Sequence, residues 1–63
     1  MTKRTFTFGT IYTSDFNTEE RAMKFAYERS LKPQRIILGD DGLFWVVRPV
    51  DGEKLVSTGY EMI

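Results

Sequence analysis

Two stretches of the chain alternate between apolar and polar residues. The first covers residues 5–13 (TFTFGTIYT), where aromatic and β-branched residues recur at every second position. This pattern is typical of a β-strand, with Phe6, Phe8 and Tyr12 on one face. Gly9 lies inside the stretch and indicates a bulge or a close approach by another element.

The second stretch covers residues 35–50 (RIILGDDGLFWVVRPV), in which two apolar runs flank Asp41-Gly42. An Asp-Gly pair between such runs is typical of a β-hairpin with a two-residue type I′ turn. That turn places Asp40 opposite Leu43 and fixes the remaining partners. The predicted pairs are Leu38 with Trp45, Ile36 with Val47, Ile37 with Val46, Gly39 with Phe44, and Arg35 with Arg48. The last pair sets two like charges against each other, which is unfavourable.

Between these stretches the apolar residues follow a helical period. Residues 14–17 (SDFN) predict a turn, after which Asn17 caps a helix and Glu20 completes a capping box. The helix is expected over residues 18–31 and ends before Pro33. Its stripe facing the sheet is predicted to contain Ala22, Met23, Ala26, Tyr27 and Ser30.

The C-terminal residues 51–63 (DGEKLVSTGYEMI) are compatible with two structures. In the first, Asp51 caps a short helix that ends at Gly59, with Leu55 touching Tyr60 in a Schellman motif. In the second, Asp51 and the following glycine form another hairpin turn and a strand follows. The helix is favoured, with residues 60–63 extended after it.

The order of elements predicts the fold class. Strand, helix, strand, strand and a short last element indicate one small α+β domain over residues 1–63, with a three-stranded mixed sheet packed on one helix. Residues 43–47 (LFWVV) are apolar on both faces, so their strand is expected in the middle of the sheet. The other two strands would then run parallel to each other on either side of it.

Composition limits the function classes. The chain of 63 residues has no cysteine and no histidine, and nine basic residues balance nine acidic ones. The commonest general base and the thiol nucleophile are therefore missing, and neither an enzyme nor a cofactor or metal site is predicted. The adjacent carboxylates Asp40-Asp41 and Glu19-Glu20 are typical of a turn and a helix start. No apolar run approaches the length of a membrane span, and a cytoplasmic protein is expected.

One predicted feature suggests binding. The sheet face away from the helix is apolar, although the open face of a small antiparallel sheet is normally polar. Either the C-terminal segment covers this face, or the face is an interface with another protein or a second copy of the chain. We therefore expect a non-catalytic protein-interaction module, such as a small adaptor or inhibitor. The candidate interface residues are Ile11, Phe25, Arg35, Ile37, Phe44, Val46 and Arg48.

An alternative function uses the same face. Phe44 beside Arg35 and Arg48 has the chemistry to stack a base and hold a phosphate of a single-stranded nucleic acid. The net charge of zero argues against this alternative, because it provides no general attraction to a polyanion.

Overall fold

A computed structural model describes residues 1–29 and 31–63. This part of the chain forms a small α+β fold with five strands and two α-helices, the first of which continues as a π-helical turn. No helix in it is long and apolar enough to cross a membrane. The elements are β1 (Thr2–Phe6), β2 (Gly9–Phe16), α1 (Glu19–Lys24), the π-helical turn (Phe25–Arg29), β3 (Arg35–Leu38), β4 (Phe44–Val47), α2 (Pro49–Ser57) and β5 (Glu61–Met62).

The five strands form one sheet in the order β1-β2-β4-β3-β5, and all neighbouring strands are antiparallel. The central position of β4 is as predicted, and β2 and β3 run parallel to each other on its two sides. The predicted three-stranded sheet with a single covering helix is wrong. A further strand lies at each edge, and a second helix covers the other face.

The extra N-terminal strand arises because the predicted first strand is a hairpin. Phe6 pairs with Gly9, so Thr7 and Phe8 form the turn between β1 and β2. Gly9 has φ +135°, a backbone conformation that favours glycine. The rings of Phe6 and Phe8 stack at 5.1 Å next to this turn instead of lying two residues apart on one face of a single strand. Threonine and aromatic residues alternate straight through this turn, so the hydrophobic period does not reveal it.

The turn of the central hairpin also differs from the prediction. Within this turn, Gly42 has a positive φ (+82°) and Asp41 does not, whereas a type I′ turn requires a positive φ at both. The connection is therefore a three-residue loop, closed by the Gly39 N–H donating to the Leu43 carbonyl at 2.8 Å. The Asp41 carboxylate holds this loop, because it accepts hydrogen bonds from the Leu43 N–H (3.0 Å) and from Trp45 Nε1 (3.1 Å).

The longer loop shifts every predicted pair of the hairpin by one residue. The observed pairs are Arg35 with Val47, Ile36 with Val46, Ile37 with Trp45, and Leu38 with Phe44. A shift of one residue changes which side chains share a face, so Ile36 and Val47, predicted as partners, lie on opposite faces of the sheet. The repulsion between Arg35 and Arg48 does not arise. Gly39 lies against the Trp45 ring and not opposite Phe44.

The first helix begins later than predicted. Residues 14–16 continue β2 instead of forming a turn, and Phe16 pairs with Phe44 of β4. The N-cap is Thr18 and not Asn17, since the Thr18 hydroxyl accepts a hydrogen bond from the Arg21 N–H at 3.2 Å. The Thr18 hydroxyl, two residues after the end of β2, therefore caps the start of α1.

The predicted apolar stripe of this helix is partly correct. Ala22 and Ala26 are buried against the sheet, as expected. Met23 and Tyr27 are exposed, which corrects the prediction, and Ser30 lies outside the described residues. The helix is therefore rotated so that Phe25, which was not part of the predicted stripe, packs toward the core.

The C-terminal segment adopts the helix and not the strand. Pro49 occupies the first turn of α2, where its missing N–H costs nothing. Asp51 lies within that first turn and is not the predicted cap. The end is the expected Schellman motif: Gly59 has φ +111°, and the Tyr60 N–H donates to the Leu55 carbonyl at 3.0 Å. The chain then pairs with β3 as β5.

Both faces of the sheet are consequently covered. The α1 side buries Ala22, Ala26, Ile36 and Val46, with Phe16, Phe25 and Phe44 packed around them. The α2 side buries Ile11, Ile37, Trp45, Val47 and Leu55, with Tyr60 and Met62 at its border. Of the two explanations for an apolar second face, the folding back of the C-terminal segment is the one that the structure contains.

Candidate interaction surface

The seven candidate interface residues do not form one exposed patch. Ile11 and Ile37 are buried beneath the C-terminal segment, whereas Val46 is buried on the opposite face of the sheet. The seven residues differ in their exposure to solvent: three are buried (Ile11, Ile37, Val46), two are half-buried (Phe25, Phe44) and two are exposed (Arg35, Arg48).

A groove of about 720 Å³ opens on the α1 side of the sheet. Residues of β2 alternate between the two faces, so Ile11 points into the α2-side core while Tyr12 points into this groove. Tyr12 is 55 % exposed. The opposite wall consists of Phe25 and Arg29 from the π-helical turn, and the exposed Leu31 lies at the rim.

A second depression of about 240 Å³ adjoins the groove. Its floor contains the rings of Phe16 and Phe25, whose centroids lie 5.2 Å apart at an angle of 41°. Arg21 and Lys24 of α1 line it, together with Arg29. Because Phe25 and Arg29 line both depressions, the two form one continuous surface. We call it the basic surface and define it by Tyr12, Phe16, Arg21, Lys24, Phe25, Arg29, Lys32 and Arg48.

The charges of this surface are strongly unequal. Five of the nine cations of the chain line it: Arg29, Lys32 and Arg48 in the groove, and Arg21 and Lys24 in the second depression. Asp51 is the one acidic residue among the described lining residues, against nine in the chain. The net charge of zero therefore conceals a positive region.

The cations of the surface differ in their surroundings. Arg48 forms an ion pair with Asp51, Nε to Oδ2 at 3.0 Å, and this hydrogen bond and charge raise the pKa of Arg48. Arg21, Lys24 and Arg29 form no ion pair within the described part of the chain. These three side chains are therefore available to counter the charge of a partner.

Two acidic residues, Asp15 and Asp41, lie together elsewhere, on the α2 face. The Arg4 guanidinium lies 4.0 Å from the centroid of the Trp45 ring and forms ion pairs with Asp15 (2.7 Å) and Asp41 (3.0 Å). Burial alone would raise the pKa of Asp41, but the hydrogen bond from the Leu43 N–H and the charge of Arg4 outweigh burial and lower it. These groups satisfy one another, so we interpret the cluster as structural.

Two of the candidates proposed from the sequence, Phe25 and Arg48, lie on this surface, and its other residues were not among the candidates. Arg21, Phe25 and Arg29 are spaced four residues apart, which places them on one side of a helix. That spacing was an available signal for a basic stripe with an aromatic centre. No local signal reveals Tyr12, because its exposure depends on where α1 crosses the sheet.

No group of three or more potential metal-ligating side chains occurs among residues 1–29 and 31–63. Comparison with known proteins yielded no matching family model, no matching curated protein and no matching solved structure.

Proposed function

We propose that this chain is a non-catalytic binding module that holds an anionic macromolecule on its basic surface. The observation that carries the proposal is the segregation of charge: among the described residues, five cations and one acidic residue line this surface, although the total charge of the chain is zero. Unpaired guanidinium and ammonium groups beside half-buried aromatic rings are groups that bind partners.

The proposed interface differs from the one considered from the sequence. The apolar second face considered from the sequence is covered by α2, and Ile37 on that face is fully buried. The open groove on the α1 side offers aromatic rings that a partner can reach. Phe25 and Arg48 belong to both the sequence-based interface and this surface.

The proposal is tested by retention on a heparin column, with heparin as a polyanionic probe. We expect the wild-type chain to be retained and Arg29→Glu to elute at clearly lower salt, because Arg29 lines both depressions. The matched control is Lys54→Glu, which makes the same change of net charge at an exposed position of α2 outside the surface.

Elution of Lys54→Glu close to the wild type would support the proposal. Equal shifts for the two variants would mean that total charge governs retention, and the proposal would then be refuted. A wild-type chain that passes through the column unretained would refute it as well.

A further inference from the structure

We infer that the anionic partner is a single-stranded nucleic acid whose bases stack on the aromatic rings of the basic surface; this inference rests on the function proposed above. Cations alone would attract any polyanion. The rings distinguish the candidates, because every base has a π-face to stack while an acidic polypeptide gains little from one.

Tyr12 occupies a position suited to stacking an unpaired base. Its ring projects from β2 into the groove and is 55 % exposed, although neighbouring Ile11 and Thr13 are fully buried. An aromatic ring on the open part of a sheet face, bordered by arginines, is the arrangement that stacks unpaired bases in sheet-based RNA-binding domains.

Positive charge is arranged in a line around the rings. Arg29 lies between the groove and the second depression, and Arg21 and Lys24 continue the positive charge beyond Phe25. A backbone of phosphates could follow this line while bases face Tyr12. Positive charge along a groove combined with stacking rings is typical of proteins that bind single strands without sequence preference.

The shape of the surface favours a single strand over a duplex. The cations of the basic surface line two concave depressions. Proteins that read a duplex instead insert a helix or a two-stranded ribbon into its groove. Paired bases also hide the faces that Tyr12 would stack on. A single strand should therefore bind more tightly than a duplex of the same length.

The experiment measures fluorescence anisotropy of a labelled oligothymidine of about 12 nucleotides, a length within the site sizes of small single-strand binders. Each phosphate contact contributes about −0.7 to the slope of log K against log salt for single strands. Arg21, Lys24 and Arg29, which form no ion pair with another described residue, predict a slope of about −2 between about 50 and 200 mM salt. Arg29→Ala should make that slope shallower by about 0.7.

The decisive variant is Tyr12→Ala, which should weaken oligothymidine binding by at least about five-fold, since stacking on one ring contributes that much. The matched control is Tyr27→Ala. Tyr27 is 64 % exposed and lines neither depression, so its removal should leave the affinity unchanged. Circular dichroism checks that both variants keep the fold.

Polyglutamate of the same length serves as the second probe. If it competes as well as oligothymidine, and Tyr12→Ala has the effect of Tyr27→Ala, the inference is wrong and an acidic protein segment is the partner. That outcome leaves the proposed function standing, provided that Arg29→Glu still loses heparin retention. If Arg29→Glu loses neither heparin retention nor oligothymidine binding, both the inference and the proposed function are wrong.

Discussion

Gly39 is the position where the packing of the central hairpin can be tested most directly. A Cβ atom added there would lie 2.5 Å from Trp45 Nε1 and 2.6 Å from Trp45 Cζ2, whereas non-bonded atoms prefer roughly 3.5–4.0 Å. The indole would have to move by about 1 Å. It is fully buried and held by its hydrogen bond to Asp41, so it cannot move cheaply.

The expected free-energy change of Gly39→Ala follows from two opposing contributions. Gly39 does not have a positive φ, so alanine fits its backbone and would gain about 0.4–1 kcal/mol from a less disordered unfolded chain. Overpacking against the indole costs about 1–3 kcal/mol, and the short distances favour the upper end. We expect a net loss of about 2 kcal/mol, a large part of the roughly 3–9 kcal/mol typical of 63 residues.

A double-mutant cycle assigns this loss to the indole. In the Trp45→Leu background the overlapping ring atoms are gone, so Gly39→Ala should cost close to nothing. Unfolding in urea is followed by far-UV circular dichroism, because Trp45→Leu removes the one tryptophan of the chain. Gly59→Ala is the control: Gly59 has φ +111° with no atom near its added methyl, and should lose about 1 kcal/mol in both backgrounds.

Two results would refute the reasoning. If Gly39→Ala is neutral or stabilising in the otherwise wild-type chain, the close approach of Trp45 to the Gly39 backbone does not exist. If it costs the same amount in both backgrounds, the cost comes from the backbone and not from the ring.

Two further predictions concern the hairpin. Because folding lowers the pKa of Asp41, its stabilising contribution is complete above the unfolded pKa and is lost as pH falls through the folded pKa. The urea concentration at the midpoint of unfolding should therefore decrease when the pH is lowered below about 4, and the decrease should be smaller in Asp41→Asn. An equal decrease in both proteins would mean that Asp41 does not cause the loss of stability in acid. Phe44→Asp should destabilise the chain by about 2 kcal/mol or more, since Phe44 packs against the α1-side core; a thermal midpoint like that of the wild type would place Phe44 on the surface.

The hairpin shows what its sequence could and could not predict. Asp41-Gly42 located the turn correctly, because few other residues tolerate a tight reversal between two strands. The register could not be read from hydrophobicity, since residues 36–38 and 43–47 are apolar on both faces and a shift by one residue buries equally apolar side chains. The deciding interactions are the Asp41 carboxylate on Trp45 Nε1 and the Trp45 ring over Gly39.

The C-terminal segment was more predictable than the N-terminal one for a physical reason. A Schellman motif is local: Gly59 and Tyr60 satisfy carbonyls only a few residues earlier, so their spacing from Leu55 is visible in the sequence. The turn between β1 and β2 has Gly9 as its single local signal, and the same residue type is also common at bulges. Pairing with β4 over residues 14–16 then extends β2 into the stretch that resembled a turn.

The charge of the candidate surface illustrates why a sum over the chain can mislead. Charges interact across roughly 8 Å at physiological ionic strength, and the molecule is 31 Å long. A partner in the groove therefore responds to Arg29 and its neighbours, while Asp15 and Asp41 on the other face are screened and already paired with Arg4. A net charge of zero provides no long-range attraction to a polyanion, so electrostatic steering should speed association little. Binding at short range should still depend strongly on the salt concentration, because the cations of the basic surface would contact the phosphates directly.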